Sequence, residues 1–234
     1  VRAKRTVLVG GLLFATVLGV AGGYFGGELT NPSSVLVSGV PAPLGGLTVS
    51  PSAKPTLKTP VKNDLKGLDP DNLDFNTQHF TVDLADAPAV QLSVRIPIGW
   101  EKKILDTGEV KFQDLRRTRW IRFKPVHPVK QNPKQRRDQL VPTLDTTIPY
   151  EQNFKLLGQS DDSTTGQDGQ PRRVSTVTYS YIPDQWTRDV IVQYVATGGQ
   201  AGADVEMAIT GLPQDQDALD AIAAKAAETV TLQD

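Results

Sequence analysis

Apolar and polar residues follow three different patterns along this chain. From Thr6 to Gly27 the sequence is uncharged and almost wholly apolar or small, long enough for a helix to cross a bilayer, which takes about 20 residues. From Glu28 to Gln78 the prolines Pro32, Pro41, Pro43, Pro51, Pro55, Pro60 and Pro70 break any repeat. Beyond that point two-residue alternation takes over, and near the C-terminus it gives way to helical spacing.

The alternation is clearest where Val90, Leu92, Val94 and Ile96 interleave with Gln91, Ser93 and Arg95, the signature of a half-buried strand. Pro97, Gly99 and Trp100 end it in a turn. His79–Leu84 is expected as a partner strand, and Glu109–Leu115 and Arg119–Lys124 as two short strands joined tightly at Arg116–Thr118. Pro133, Pro142 and Pro149 restrict the next region to a short helix over Pro133–Leu140. Phe154–Ser160 is expected as a strand, followed by a polar loop from Asp161 to Pro171. Arg173–Ile182, Arg188–Thr197 and Ala203–Thr210 are three β-rich runs whose short connections predict antiparallel neighbours. Pro213 and Asp215 open a helix with Leu219, Ile222, Ala223 and Ala226 at helical spacing. The pattern predicts an α+β domain, an antiparallel sheet covered by helices.

The first segment is expected to be a transmembrane helix, since hydrocarbon offers the backbone no other hydrogen-bond partner. Arg2, Lys4 and Arg5 precede it and Glu28 is the first charge after it, which puts the N-terminus in the cytoplasm and the rest outside. Gly11, Ala15, Gly19, Gly23 and Gly27 recur every fourth position. Such a ridge lets a second helix approach closely, so a transmembrane partner or a homodimer is expected. Ala21 with Gly19 also forms a small-residue cleavage pattern, making a removed signal peptide the alternative. The apolar run exceeds the signal core of about 7–15 residues, which favours retention.

Three regions follow: 1–27 as cytoplasmic basic tip and anchor, 28–78 as a disordered proline-rich extracytoplasmic linker, and 79–234 as the extracytoplasmic domain. About 50 linker residues at about 3.1 Å each reach on the order of 150 Å when fully extended. The four-residue spacing of Lys54, Lys58, Lys62 and Lys66 cannot mark one helix, because Pro55 and Pro60 interrupt it.

The strand ending in Leu92-Ser93-Val94-Arg95-Ile96-Pro97-Ile98-Gly99-Trp100, the antiparallel strands after it and the closing amphipathic helix resemble the Mog1/PsbP-like α/β/α sandwich. Actinobacterial LpqN/LpqT-type envelope proteins use that domain. The resemblance covers roughly 78–233 and implies a non-enzymatic accessory of envelope assembly or transport, with no catalytic residues. The chain departs from those lipoproteins in having no cysteine to acylate.

Chemistry is sparse. Zero cysteines exclude disulfides, thiolate catalysis and cysteine-bound metals together. The two histidines, His79 and His127, lack the further ligands a zinc site needs, and His79 is expected to cap or pack just before its strand. No Gly-x-Ser-x-Gly elbow is present. Asp161, Asp162 and Asp168 miss the calcium-loop spacing, and Asp204 with Glu206 reads as a solvated strand face. No catalytic residue, metal or cofactor is assigned.

Charge is strongly polarised. Lys111–Arg137 holds ten basic residues against Asp114, a net +9, whereas Asp138–Asp234 holds fifteen acids and five bases, a net −10. Strand parity sets Trp120, Arg122 and Lys124 opposite Ile121 and Phe123, so one face buries and the other presents cations. Arg116, Arg117, Arg119, Arg122 and Lys124 form a candidate patch for anionic lipid, wall polymer or an acidic protein surface; the alternative is pairing with the acidic half inside the fold. Nucleic acid is not expected outside the cell. The function expected is a single-pass, membrane-anchored interaction protein of the bacterial envelope, not an enzyme. The alternative is a carrier that holds a lipid or other apolar ligand in a pocket of the α+β domain.

Overall fold

The computed structural model describes residues 55–85, 87–198 and 201–233. The ridge Gly11, Ala15, Gly19, Gly23 and Gly27 and the expected anchor lie outside the described residues. Among those described, no helix is long and apolar enough to cross a membrane. One compact unit runs from Lys58 to Asp234.

Its architecture is mostly antiparallel β-sheet with two α-helices. The strands are β1 (Phe75–Val82), β2 (Val90–Pro97), β3 (Glu101–Ile104), β4 (Val110–Gln113), β5 (Trp120–Pro125), β6 (Lys155–Thr165), β7 (Pro171–Tyr181), β8 (Arg188–Ala196), β9 (Val205–Gly211) and β10 (Thr231–Gln233). Helix α1 spans Pro133–Thr147 and α2 spans Gln216–Thr229. A small sheet has the order β1-β2-β10, and a large one the order β3-β4-β5-β9-β8-β7-β6. The small sheet and α2 cover one face of the large sheet, while α1 covers β7 and β8.

Parity explains the layering. On the face toward the small sheet, Phe112, Ile121, Ile209 and Ile191 align across β4, β5, β9 and β8 and are buried. Phe80 from β1 closes on Phe112 and Phe123, with ring centroids 5.2 and 5.3 Å away. Leu219, Ile222, Ala223 and Ala226 of α2 join this core, as their helical spacing requires.

Several expectations shift. The first strand begins at Phe75, so His79 lies inside β1 and is exposed instead of capping it. The short β3 and β10 were not legible, being three or four residues with little apolar content. Helix α1 passes through Pro142 to Thr147. Asn132 and Gln135 form a capping box at its start, and the Thr143 and Thr147 hydroxyls donate to the carbonyls of Leu140 and Thr143 at 2.6 and 2.7 Å. Burial of Leu140 and Leu144 offsets the hydrogen bond that proline removes. Strand β6 continues to Thr165, so Asp161 and Asp162 sit in a strand and not in a loop.

Residues 58–78, read from sequence as linker, belong to the compact unit. Lys58 and Val61 donate backbone N–H groups to the carbonyls of Glu151 and Gln185, each at 2.7 Å. Leu68 donates to Asp215 at 2.8 Å. These bonds seat the segment as a strap. Proline content forecasts extended backbone, and extended backbone packs as readily as it dangles.

Candidate interaction surface

The five cations of the expected patch do not share one surface. Arg119, at the start of β5, points inward to Asp215, the residue just before α2, with Nε and Nη2 at 2.7 and 2.9 Å from the two carboxylate oxygens. Asp114 adds a contact to Nη1 at 3.3 Å, and Nη2 also donates to the Lys66 carbonyl at 2.7 Å. Arg122 is buried with Glu109 at 2.9 Å, and Lys124 stands 3.9 Å from the same glutamate. Parity was read rightly, with Ile121 and Phe123 buried, but the opposite face neutralises its charges locally.

Only Arg116 and Arg117 are fully presented. They sit at the tip of the β4–β5 turn, whose geometry Asp114 fixes. Its carboxylate accepts from the Thr118 and Arg119 backbone N–H groups at 2.8 and 3.2 Å and from the Thr118 hydroxyl at 3.0 Å. Arg117 adopts the left-handed conformation, φ 57°. The result is a stiff turn that projects Leu115, 75% exposed, beside two arginines. Pairing of Glu101 with Gln113 brings the turn before β3 to the same end of the molecule, where Ile98 is 60% exposed. Exposed aliphatic groups beside cations suit a partner that is anionic with apolar content.

Behind the tip lies an aromatic–cation cluster. Arg188 donates from Nη1 to the Thr118 carbonyl at 2.7 Å and stands 5.4 Å from the Trp120 ring and 5.9 Å from the Trp186 ring. Lys111 approaches the Trp120 ring at 5.1 Å. Cations packed on indole faces gain electrostatic attraction, and here they brace the root of the turn. Sequence spacing cannot show this cluster, because Trp186 and Arg188 come from a distant loop and strand.

Other candidates serve the fold. Asp161 accepts from Arg137 Nη1 at 2.9 Å and from the Ser175 hydroxyl at 2.6 Å, and Asp168 pairs with Arg172 at 3.2 Å. Asp204 and Glu206, expected on a solvated face, are buried. The Asp204 carboxylate accepts from the Thr197 N–H at 3.1 Å and its hydroxyl at 2.8 Å, and burial raises its pKa against those hydrogen bonds. Asp189 is pushed up to about 6 by burial and then by the charge of Asp215. His127 is exposed, and no group of three metal-ligating residues occurs among the described residues.

No protein-family model matches the chain, and no curated protein does. Among solved structures it is similar to the crystal structure of the Saccharomyces cerevisiae Ran-binding protein Mog1p, with 13% sequence identity and a TM-score of 0.41. The match covers 67% of this chain and 96% of that one. The likeness is a weak one.

Proposed function

We propose that this chain is a single-pass, membrane-anchored accessory protein of the bacterial cell envelope, non-enzymatic, whose Lys58–Asp234 unit docks on an anionic surface outside the membrane. Support for the anchor is the uncharged run Thr6–Gly27 behind Arg2, Lys4 and Arg5, which orients the N-terminus toward the cytoplasm. The docking reading rests on one observation, the stiff turn that holds Leu115, Arg116 and Arg117 in solvent while Asp114 and Arg119 secure its base. Among the described residues no ion pair engages Arg116 or Arg117, so their charge is available to a lipid headgroup, a wall polymer or an acidic protein surface.

The test is retention of the full chain on anionic vesicles and on anionic wall polymer. The variants are Leu115→Ser and the double substitution Arg116→Ala with Arg117→Ala. Binding that weakens at least tenfold on one of the two surfaces supports the reading and identifies the partner. Undiminished retention on both dismisses it. Arg119 and Arg122 are poor choices for this experiment, because their loss breaks buried pairs. For the anchor, membranes are washed at high pH: the chain should stay in the pellet with residues 1–27 attached. Recovery of a soluble form lacking that segment sinks the anchor and leaves the docking test unaffected.

A further inference from the structure

One row of paired residues crosses the large sheet close to one end: Gln113 opposite Trp120, then Thr210, Val190, Tyr179 and Leu156. It runs from β4 to β6, five strand intervals, or about 24 Å at about 4.8 Å each. Just beyond the row lie the β4–β5 turn, the β7–β8 loop and the start of β6. The turn before β3 joins them through the pairing of Glu101 with Gln113. Val61 N–H, bonded to the Gln185 carbonyl, fixes the strap on the β7–β8 loop. Ile182 N–H, bonded to the Gln152 carbonyl at 2.7 Å, brings Tyr150 to the same end.

This end gathers the exposed apolar groups. Among the described residues of the Lys58–Asp234 unit, nine large hydrophobic side chains are exposed. Six stand here: Ile98, Leu115, Val61, Tyr150, Leu156 and Leu157. They form a line along the sheet end, with cations at both limits. Arg116 and Arg117 flank Leu115, and Lys155, also exposed, precedes Leu156. The register shift between Leu156 and Gly158 makes Leu157 an extra residue in β6, so two consecutive leucines are exposed there. Asp184 is exposed on the β7–β8 loop between the cations, which confines the positive charge to the two limits.

Chain entry and chemistry together point to lipid as the occupant. Lys58, the first residue of the unit, donates its N–H to the Glu151 carbonyl, next to Tyr150, and its ammonium to the Pro183 carbonyl. The polypeptide therefore enters at this end. Residues 28–57 separate that point from the apolar opening run, and a flexible coil of that length averages about 30 Å. A short tether of this kind gives an effective concentration on the order of mM, so weak contacts suffice. A wall polymer could hold the arginines, but only a lipid surface offers leucines an apolar phase. Tyrosine favours the membrane–water boundary, and cations are drawn to anionic headgroups. A plane also meets both limits of the line at once. We infer that this end is a membrane-facing platform whose occupant is the outer lipid leaflet. Leu115 at one limit and Leu156 with Leu157 at the other enter the boundary between headgroups and acyl chains, while Arg116, Arg117 and Lys155 meet headgroup phosphates. The inference rests on the docking reading above, commits it to lipid and adds a second contact at the start of β6.

The chain has no cysteine, so one introduced, nitroxide-labelled thiol reports the depth of one position. Full chain is reconstituted in vesicles containing phosphatidylglycerol, and label collisions with oxygen and with a water-soluble nickel chelate are compared. Leu115→Cys and Leu157→Cys should each be shielded from the chelate at least about fivefold, as burial of apolar groups at the interface requires. The reference is Val129→Cys, beside Gly202 at the opposite end. Adding Leu156→Ser and Leu157→Ser should reduce shielding at position 115 at least about threefold, because two contacts on one plane reinforce each other. All of these side chains are exposed, so the substitutions leave the core intact. Shielding at 115 with 157 as open as 129 overturns the platform and leaves the docking of the turn standing. Both positions as open as 129 overturns it as well, and is the result if residues 6–27 alone hold the chain to the vesicle. Retention of that same chain on wall polymer then preserves the docking reading, and its loss there ends both.

Discussion

Arg119 and Asp215 lie 96 residues apart in sequence and meet side by side in the interior, guanidinium against carboxylate. Asp215 is completely buried and also accepts from the Leu212 N–H at 3.0 Å and the Leu68 N–H at 2.8 Å. Burial alone would lower the pKa of Arg119, yet hydrogen bonding and the charges of Asp215 and Asp114 raise it, so the arginine stays charged. One carboxylate thus joins the start of β5, the entry to α2 and the strap.

Asp215→Ala should cost about 3–5 kcal/mol, the usual consequence of leaving a buried charge without its partner. It should also release the strap before the core melts. Urea denaturation reads the first effect. Trypsin cleavage at Lys62 or Lys66, accelerated under native conditions, reads the second.

Asp189 titrates near 6 in the folded chain against an ordinary value of 3.8. A raised carboxyl pKa means that the folded state holds the proton more tightly. Its contribution to stability is fully present below about pH 4 and is lost as pH rises through about 6. Two pKa units correspond to roughly 2–3 kcal/mol. Asp189→Asn should therefore stabilise the domain by up to that amount at pH 7 and leave it nearly unchanged at pH 4. Paired thermal melts at the two pH values check the difference.

Arg172 is wholly buried at the end of α2, with Nη1 donating to the Ala227 and Val230 carbonyls at 2.9 and 2.5 Å. It takes the place of water at the helix terminus, where the last carbonyls lack intrahelical partners. Arg172→Met, similar in length but unable to donate, should destabilise by about 2–4 kcal/mol through unsatisfied buried acceptors. Faster amide exchange should concentrate in α2 and β10.

Gly108 has φ +83°, and a Cβ there would stand 1.8 Å from the Asp83 carbonyl oxygen. The turn before β4 is hydrogen-bonded to that segment, with Asp83 N–H donating to the Gly108 carbonyl at 3.4 Å. Gly108→Ala combines left-handed strain of about 1–3 kcal/mol with a backbone clash. A loss of at least about 2 kcal/mol in chemical denaturation is expected, whereas Gly99→Ala, with open space around it, should lose only the strain component.

The strands from Val90 to Ile96, Arg173 to Ile182 and Arg188 to Thr197 could be read because each has one buried and one polar face, or is buried on both. Helix α2 was readable from the spacing of Leu219, Ile222, Ala223 and Ala226. The helix runs through Pro142 and beyond the stop at Leu140 that local sequence predicts, because tertiary burial of Leu144 outweighs a local penalty. The basic run from Lys111 to Arg137 misled in the opposite direction. Five of its residues promised one surface, but Arg119 and Arg122 each found a carboxylate inside, and only Arg116 and Arg117 remain on the tip.

Order along the chain therefore set the apolar opening run, the proline-rich stretch after it and the strand and helix periodicities, since those depend on neighbours a few residues apart. Which charges are paired internally and where the strap lies were decided only by folding. Each depends on residues such as Arg119 and Asp215, brought within hydrogen-bond distance across most of the domain, where Coulomb attraction and lost hydration act together and sequence separation has no bearing.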